Sequence, residues 1–428
     1  MAGTPSLLAI IFWGVVTFSI LVVIHEGGHF FAARAFGVRI HEFMIGLPGP
    51  ALRIRSKRTG IAYGVTAIPL GGYVRIAGME PGAEDELLGP ALKAVVTAGS
   101  MDAGTLADTL RIPHDRAASL LRTLEDWKSI ERLKGGEEDS YRPLVTAPDD
   151  ADPSEMLASE RAHVYAGLKT WQRVVVLSMG VLMNLFTAIL LLTVTLSIVG
   201  YPQPTLTLAG VTKGSPASAA GLAAGDTIVS IDGHKLADWP GLLAVVAVKR
   251  PGDSASVAYV RAGTPNTATV VLASHKKGRA PFLGVVSKEA QYRPAPLTAL
   301  GMSLQWTGLV FVAIVQFFNP ATFATSVQGA RSVVGISVET ARAASTGIAD
   351  YVYIVALLSL SLGVMNILPL PPLDGGKIAL ELVEKAMHRP IPKAVSLGLS
   401  LAGALLLFSL IGYLMYSDVV RYVITGTG

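Results

Sequence analysis

Three side chains near the amino end of this 428-residue chain have the types and spacing of a metal-dependent hydrolase. His25-Glu26-Gly27-Gly28-His29 closes the first apolar run. On a helix, positions i and i+4 share a face, so the two imidazoles can hold one metal ion. Glu26, one residue along, sits beside the open coordination position, where a carboxylate can take a proton from water. Catalytic zinc takes three protein ligands. The chain has no Cys, so the third must be His or a carboxylate. The best candidate is Asp374, in Asn366-Ile367-Leu368-Pro369-Leu370-Pro371-Pro372-Leu373-Asp374-Gly375-Gly376, which follows another apolar run and carries three helix-breaking prolines. A chance pentapeptide and an ordinary acidic turn are the bland readings. Against them, ionisable groups at the end of an apolar span are costly and mark functional sites.

The elements that position these residues belong to a membrane protein. Hydrophobic residues make up 51% of the chain and charged ones 15%, with a mean hydropathy of +0.50, whereas soluble domains carry about 25% charged residues. Disordered, collagen-like and disulfide-stapled classes are excluded, and a net charge of +4 gives no argument for nucleic acid. Crossing the hydrocarbon takes about 20 apolar residues. Residues 7–24, 174–199 and 395–416 meet that length, 351–368 is shorter but uncharged, and 297–318 is interrupted by Gln305 and Gln316. The first run lacks a basic leader and a small-residue cleavage site, so it reads as a retained span.

Arg34, Arg39, Arg53, Arg55, Lys57, Arg58 and Arg75 follow the first run, and Lys377, Lys385, Arg389 and Lys393 follow the fourth. By the positive-inside rule both loops are cytoplasmic, and residues 200–293 are outside. His25 and His29 end one span and Asp374 follows the end of another, so both spans must run in the same direction. That needs an odd number of crossings between them. Residues 174–199 supply one, and 297–318 is therefore expected to lie at the surface or to brace the bundle. Residues 40–79 read as short β segments, including Ile61-Ala62-Tyr63-Gly64-Val65 and Pro69-Leu70-Gly71-Gly72-Tyr73-Val74, while 81–160 is polar and largely helical.

With those pieces in order, the chain resembles the bacterial site-2 proteases. The likeness rests on His25-Glu26-Gly27-Gly28-His29, on Pro69 to Val74, on Gly180-Val181-Leu182-Met183-Asn184 and on Asn366 to Gly376. It implies a polytopic α-helical membrane protein with about four transmembrane helices and a membrane-associated β-hairpin region. It further implies an intramembrane zinc endopeptidase of the inner membrane that cuts single-pass membrane proteins, such as anti-sigma factors or remnant signal peptides. His25, His29 and Asp374 would bind Zn2+, Glu26 would activate water, and Asn184, Asn366, Gly71 and Gly72 would contact substrate. Three positions depart from the family pattern. Val181 replaces a usual Pro, Lys377 stands where a His often follows the glycines, and Ser332-Val333-Val334-Gly335-Ile336 replaces a Gly-Pro stretch. The rival class is a non-enzymatic membrane scaffold.

Two further domains are expected. Residues 201–290, with Gly214 to Leu222, the β-rich Thr227-Ile228-Val229-Ser230-Ile231 and the Asp232-Gly233 turn, resemble a PDZ domain, which binds a peptide or protein by strand addition. Residues 81–160 resemble a winged helix, with helices near 91–98, 103–110 and 115–128, a Lys134-Gly135-Gly136 hairpin, and Leu106, Ala107, Leu110, Ala118, Leu121, Leu124 and Trp127 as core. That insert carries seventeen Asp or Glu against eight Lys or Arg, and a nucleic-acid reader needs a basic face, so protein contact is favoured. The expected order is the first transmembrane helix (1–35), β region (36–80), insert (81–160), second helix (161–200), PDZ domain (201–290), juxtamembrane helices (291–348), third helix (349–376) and a cytoplasmic loop with the fourth helix (377–428), the membrane lipid being the common partner.

Overall fold

The computed structural model describes residues 5–69, 71–79, 84–133, 139–146, 148, 151–274, 280–389 and 391–420. They divide into two compact units, one of residues 1–193 with 300–428 and the other of residues 194–299.

The first unit opens with α1 (Leu7–Ala35), whose start is capped by Ser6 Oγ accepting the Ala9 N–H at 3.3 Å. Four strands follow: β1 (Ile40–Ile45), β2 (Ala51–Arg55), β3 (Ala62–Thr66) and β4 (Gly72–Ile76). They form one sheet in the order β2-β3-β1-β4. Only β2 and β3 make a hairpin. The two segments expected to form the hairpin region, around Ile61 and Gly71, are separated by β1, which pairs parallel with β3 and antiparallel with β4. β1 takes the centre because it buries Ile40 and Met44, and β4 is left as an edge. Leu70 lies outside the described residues.

Next come α2 (Leu88–Ala98), β5 (Met101–Asp102), α3 (Ala103–Leu110), α4 (His114–Asp126), β6 (Ile130–Leu133), β7 (Ser140–Pro143) and α5 (Pro153–Arg161), the three strands lying in the order β5-β7-β6. Their core is built from Leu92, Val95, Leu106, Leu121, Leu124 and Trp127. Ala117 is buried in that core, whereas the expected Ala118 is half-buried, an offset of one residue in the helical register. The Lys134-Gly135-Gly136 turn lies outside the described residues. Arg39, between α1 and β1, ties this insert down by donating to both carboxylate oxygens of Glu160 at 2.5 and 3.3 Å and to the Trp127 carbonyl at 2.9 Å.

α6 (Thr170–Ile198) leads to the second unit. There β8 (Tyr201–Val211), α7 (Pro216–Ala219), β9 (Thr227–Ile231), β10 (His234–Lys235), α8 (Trp239–Ala247), β11 (Ser254–Arg261), β12 (Thr264–Val271), β13 (Ala273–Ser274), β14 (Pro281–Phe282) and β15 (Val285–Tyr292) follow one another. The main sheet runs β12-β11-β9-β8-β15, and Leu208, Ile228, Ile231, Leu242, Val257 and Val270 fill its core. Ser215 and Asp238 cap the two helices through side-chain oxygens, as N-cap residues do.

The chain then completes the first unit with α9 (Pro296–Val315), α10 (Phe323–Gly329), α11 (Val333–Thr346), α12 (Ile348–Ile367), α13 (Asp374–Met387) and α14 (Lys393–Val419). Among the described residues, five helices are long and apolar enough to cross a membrane by length and composition: α1, α6, α9, α12 and α14. α9, which contains the interrupted 297–318 run, packs through Trp306, Val310 and Ile314 against the group of Ala188, Leu192, Ala356 and Leu360 from α6 and α12.

Contacts along α1 fix the sense of its neighbours. On α6, Val176 meets His29 and Asn184 meets His25, so α6 runs antiparallel to α1. Tyr351 at the start of α12 bonds Thr17 at 3.0 Å, and Asp374, beyond its end, meets His29, so α12 runs parallel to α1.

Candidate metal centre

His25 and His29 lie towards the end of α1, and Gly28 between them lets α6 come close. A Cβ on Gly28 would run into the Met179 carbonyl group, whose carbon lies 2.6 Å away, and one on Gly180 would strike the His29 ring. Small residues at a helix crossing permit this backbone approach. Gly27 has open space around it, its nearest neighbour being Phe31 at 3.9 Å.

Asp374 is brought in by the proline-rich turn. Leu370 N–H donates to the Leu368 carbonyl at 2.7 Å and Leu373 N–H to the Leu370 carbonyl at 2.8 Å, closing the chain into two tight turns before α13 begins. Gly375 and Gly376 pack against the backbone of Ile367, Leu368 and Leu370, and a Cβ on Gly403 of α14 would strike the Pro371 carbonyl. The carboxylate thus stands at a helix N-terminus, where negative charge is favoured, and is 7% exposed.

The three donors converge. Asp374 Oδ2 lies 3.0 Å from His25 Nε2 and 3.2 Å from His29 Nε2, and the two Nε2 atoms are 3.4 Å apart. One atom from each lies within 4.8 Å of the others, the only such trio among the described residues.

The backbone and side chains behind the imidazoles fix which nitrogen faces inward. His29 Nδ1–H donates to the Val176 carbonyl at 2.8 Å, which leaves the Nε2 lone pair free. Asn184, fully buried, has its amide 3.1 Å from His25 Nδ1, with Nδ2 on that side and Oδ1 buried without a partner. Turning the amide over, a choice that heavy-atom positions do not distinguish, lets His25 Nδ1–H donate to Oδ1, satisfies that oxygen and frees the Nε2 lone pair of His25 as well. Two neutral imidazoles and one carboxylate aimed at a common point are a donor set that fits Zn2+.

Glu26 sits beside the trio, with Oε2 accepting the Val74 N–H of β4 at 3.0 Å. Gly72, two residues back on that strand, is pressed against Val22 and the Met44 carbonyl, and a Cβ there would stand 3.7 Å from Glu26 Cγ. Gly71 has a φ of +114°, which glycine adopts readily. Asn366 is buried, but its Nδ2 donates to the Leu362 carbonyl of its own helix at 3.1 Å, and the structure gives it no hydrogen bond to the trio. Lys377 holds its Nζ 3.6 Å from Asp374 Oδ1, so a position that departs from the family pattern stands next to the site.

Sequence reasoning did not find the Val176 carbonyl, the Val74 N–H or Ser359, whose hydroxyl donates to the Asn184 carbonyl at 2.9 Å. Two of these are backbone groups, which carry no side-chain signature.

Comparisons with known proteins identify the family. The profile of Peptidase family M50 matches residues 13–410. A Streptococcus pyogenes serotype M6 chain bearing a zinc metalloprotease name is 27% identical over 414 residues, covering 95% of this chain and 98% of its own. Zinc metalloprotease RasP of Geobacillus kaustophilus is 25% identical over 418 residues, covering 95% and 97%. Among solved structures, the PDZ domain of the SdrC-like protein of Listeria monocytogenes is similar at 24% identity, covering 20% of this chain and 88% of its own with a TM-score of 0.18. A protein carrying His25, His29, Glu26 and Asp374 in this arrangement, matched over nearly its whole length, belongs to peptidase family M50, the site-2 protease family of zinc metallopeptidases.

Proposed function

We propose that this chain is an intramembrane endopeptidase of the inner membrane that cleaves the transmembrane segment of single-pass proteins, anti-sigma factors or remnant signal peptides being the expected kinds. The observation that carries this reading is the meeting of His25, His29 and Asp374 at the ends of two apolar helices. In the proposed site these three residues hold Zn2+, which when bound acidifies water and polarises a carbonyl.

The chain's own groups do the rest. Glu26 takes the proton of the attacking water and passes it to the leaving amine. Asn184 and the Val176 carbonyl keep both imidazoles turned inward. A transmembrane helix hides its carbonyls in internal hydrogen bonds and must unwind before cleavage. β4 is an edge strand, to which an unwound segment can pair, and Val74, whose N–H is taken by Glu26, lies on that edge. Gly71, where an added Cβ would meet only Leu47, leaves room for a substrate backbone there, whereas Gly72 serves the packing of β4 on Val22 and Met44. The buried hydrogen bond of Asn366 within its own helix supports a supporting role for that residue rather than direct substrate contact.

The parallel sense of α1 and α12 supports an odd number of crossings between them. α11 has fourteen residues, or about 21 Å at 1.5 Å per residue, against about 30 Å of hydrocarbon. With α6 crossing and α11 too short, α9 braces the bundle without crossing, so α1, α6, α12 and α14 are the four spans. The loops after α1 and α12 are cytoplasmic, and residues 201–290 form an extracytoplasmic PDZ domain that takes a peptide or protein at its edge. The helix and strand order of residues 88–143, with the strand order β5-β7-β6, supports the winged-helix reading of the insert, for which protein contact is the proposed role.

Cells in which Glu26→Gln replaces the wild type test this function. They should accumulate truncated single-pass proteins that the wild type clears. Equal clearance by the variant would favour a scaffold without catalysis.

A further inference from the structure

The face of the β1–β4 sheet that carries Arg55 and Arg75, the end of α1 and the end of α4 enclose a cleft of about 1200 Å³. Eight Arg or Lys line it against three carboxylates, although the insert that forms one wall has more than twice as many acids as bases. Those carboxylates already have partners: Glu125 pairs with Arg132, Asp126 with Arg75, and Glu131 with Arg142. Arg34, Arg55, Arg58, Arg122 and Lys128 make no ion pair among the described residues, and the first four are exposed. Burial and the guanidinium groups of Arg55, Arg39 and Arg75 push the Lys128 ammonium below its ordinary range. Cations gathered without counter-charge repel one another, and a bound anion relieves that repulsion. Arginine forks match the paired oxygens of phosphate.

The surroundings of the cleft say which phosphate. Arg34 stands in the last turn of α1, and Phe31, 67% exposed, lies one turn earlier on the same face. An aromatic followed by a cation at the end of an apolar span suits acyl chain below and headgroup above. On the opposite face of the sheet, the pairs Leu52–Val65 and Ile54–Tyr63 leave Leu52 85% and Ile54 79% exposed, as expected for a surface lying against lipid. Nucleic acid fits less well. Asp126, Trp127 and Lys128, at the end of α4, are bonded to Gly78, Arg39 and Ile40, and Arg116 near its start is engaged by Asp85, so the helix that would enter a groove is occupied at both ends.

From these observations we infer that the cleft between the β1–β4 sheet and the insert binds the phosphate of an anionic phospholipid headgroup, anchoring the insert to the membrane surface. The site takes only the membrane setting from the proposed function and is independent of catalysis.

Full-length chain reconstituted in nanodiscs of mixed phosphatidylcholine and phosphatidylglycerol, then released into detergent for native mass spectrometry, tests the inference. Phosphatidylglycerol should be retained over phosphatidylcholine, and R55Q/R58Q/R122Q should reduce that enrichment at least about tenfold. K57Q, at an exposed lysine outside the cleft, and Glu26→Gln should both keep it. These three arginines are exposed and unpaired, so an unchanged melting temperature confirms that the triple variant folds. Equal retention of the two lipids, or full enrichment in the triple variant, would overturn the proposal. Saturable binding of inorganic phosphate with no lipid retained would assign the cleft to a free anion, and a gel shift of duplex DNA lost in the triple variant would assign it to nucleic acid. Either result overturns the headgroup.

Discussion

The N–H of Val74 donates to Oε2 of Glu26 across 3.0 Å, joining the edge strand β4 to the carboxylate beside the two imidazoles. The strand that can receive an unwound substrate is therefore the strand that orients the proposed base. Val74→Pro removes that donor at an edge, where proline is tolerated. One hydrogen bond to a charged group is worth about 1.5–3 kcal/mol, so turnover should fall roughly tenfold or more while zinc content stays unchanged. Steady-state cleavage with metal analysis on the same preparations checks both. Unaltered turnover would remove Val74 from the site.

Asn184 should matter through His25. Its amide is the partner of the outward ring nitrogen, and losing such a partner costs about 10–100-fold in metal affinity. Asn184→Ala should show that weakening in a chelator competition, whereas Asn366→Ala, whose side chain bonds only its own helix, should bind zinc as the wild type does.

The two glycines between the histidines should behave in opposite ways. Gly28→Ala places a methyl against the Met179 backbone, which cannot rotate aside. Overpacking of this kind costs about 1–3 kcal/mol and should lower both melting temperature and zinc content. Gly27→Ala meets nothing closer than Phe31 at 3.9 Å and should preserve both.

How much of this was legible in the sequence depends on how local each feature is. The i, i+4 spacing of His25 and His29 is set by helix geometry alone, and Asp374 could be picked out because three prolines mark the place where its helix must end. The sheet order was not legible, because the parallel pairing of β1 with β3 joins strands whose contact depends on which one is buried on both sides. The two-residue β5 is too short to leave a pattern. Asn184 was found but its contact with His25 was not, since sequence does not reveal that it reaches that ring from an antiparallel neighbour.

Acid should loosen the attachment of the insert. Glu160 is 7% exposed. Burial pushes its carboxyl up, but hydrogen bonds from Arg39 and Ser129 outweigh that and hold it below the ordinary value. A carboxyl lowered by folding stabilises fully above its unfolded value of about 4.3, and the contribution is lost as pH falls through the lower folded value. The melting temperature of the wild type should therefore drop below about pH 4 more steeply than that of Glu160→Gln, which should already be less stable at neutral pH by about 1–3 kcal/mol. Parallel acid profiles would exclude the pair as a source of stability.

Zinc stoichiometry in the purified full-length protein tests the central claim most directly. The wild type and Glu26→Gln should each carry about one zinc per chain, and Asp374→Ala should carry less than about a tenth of that. Wild-type protein without zinc, or Asp374→Ala with a full complement, would contradict a centre built from His25, His29 and Asp374.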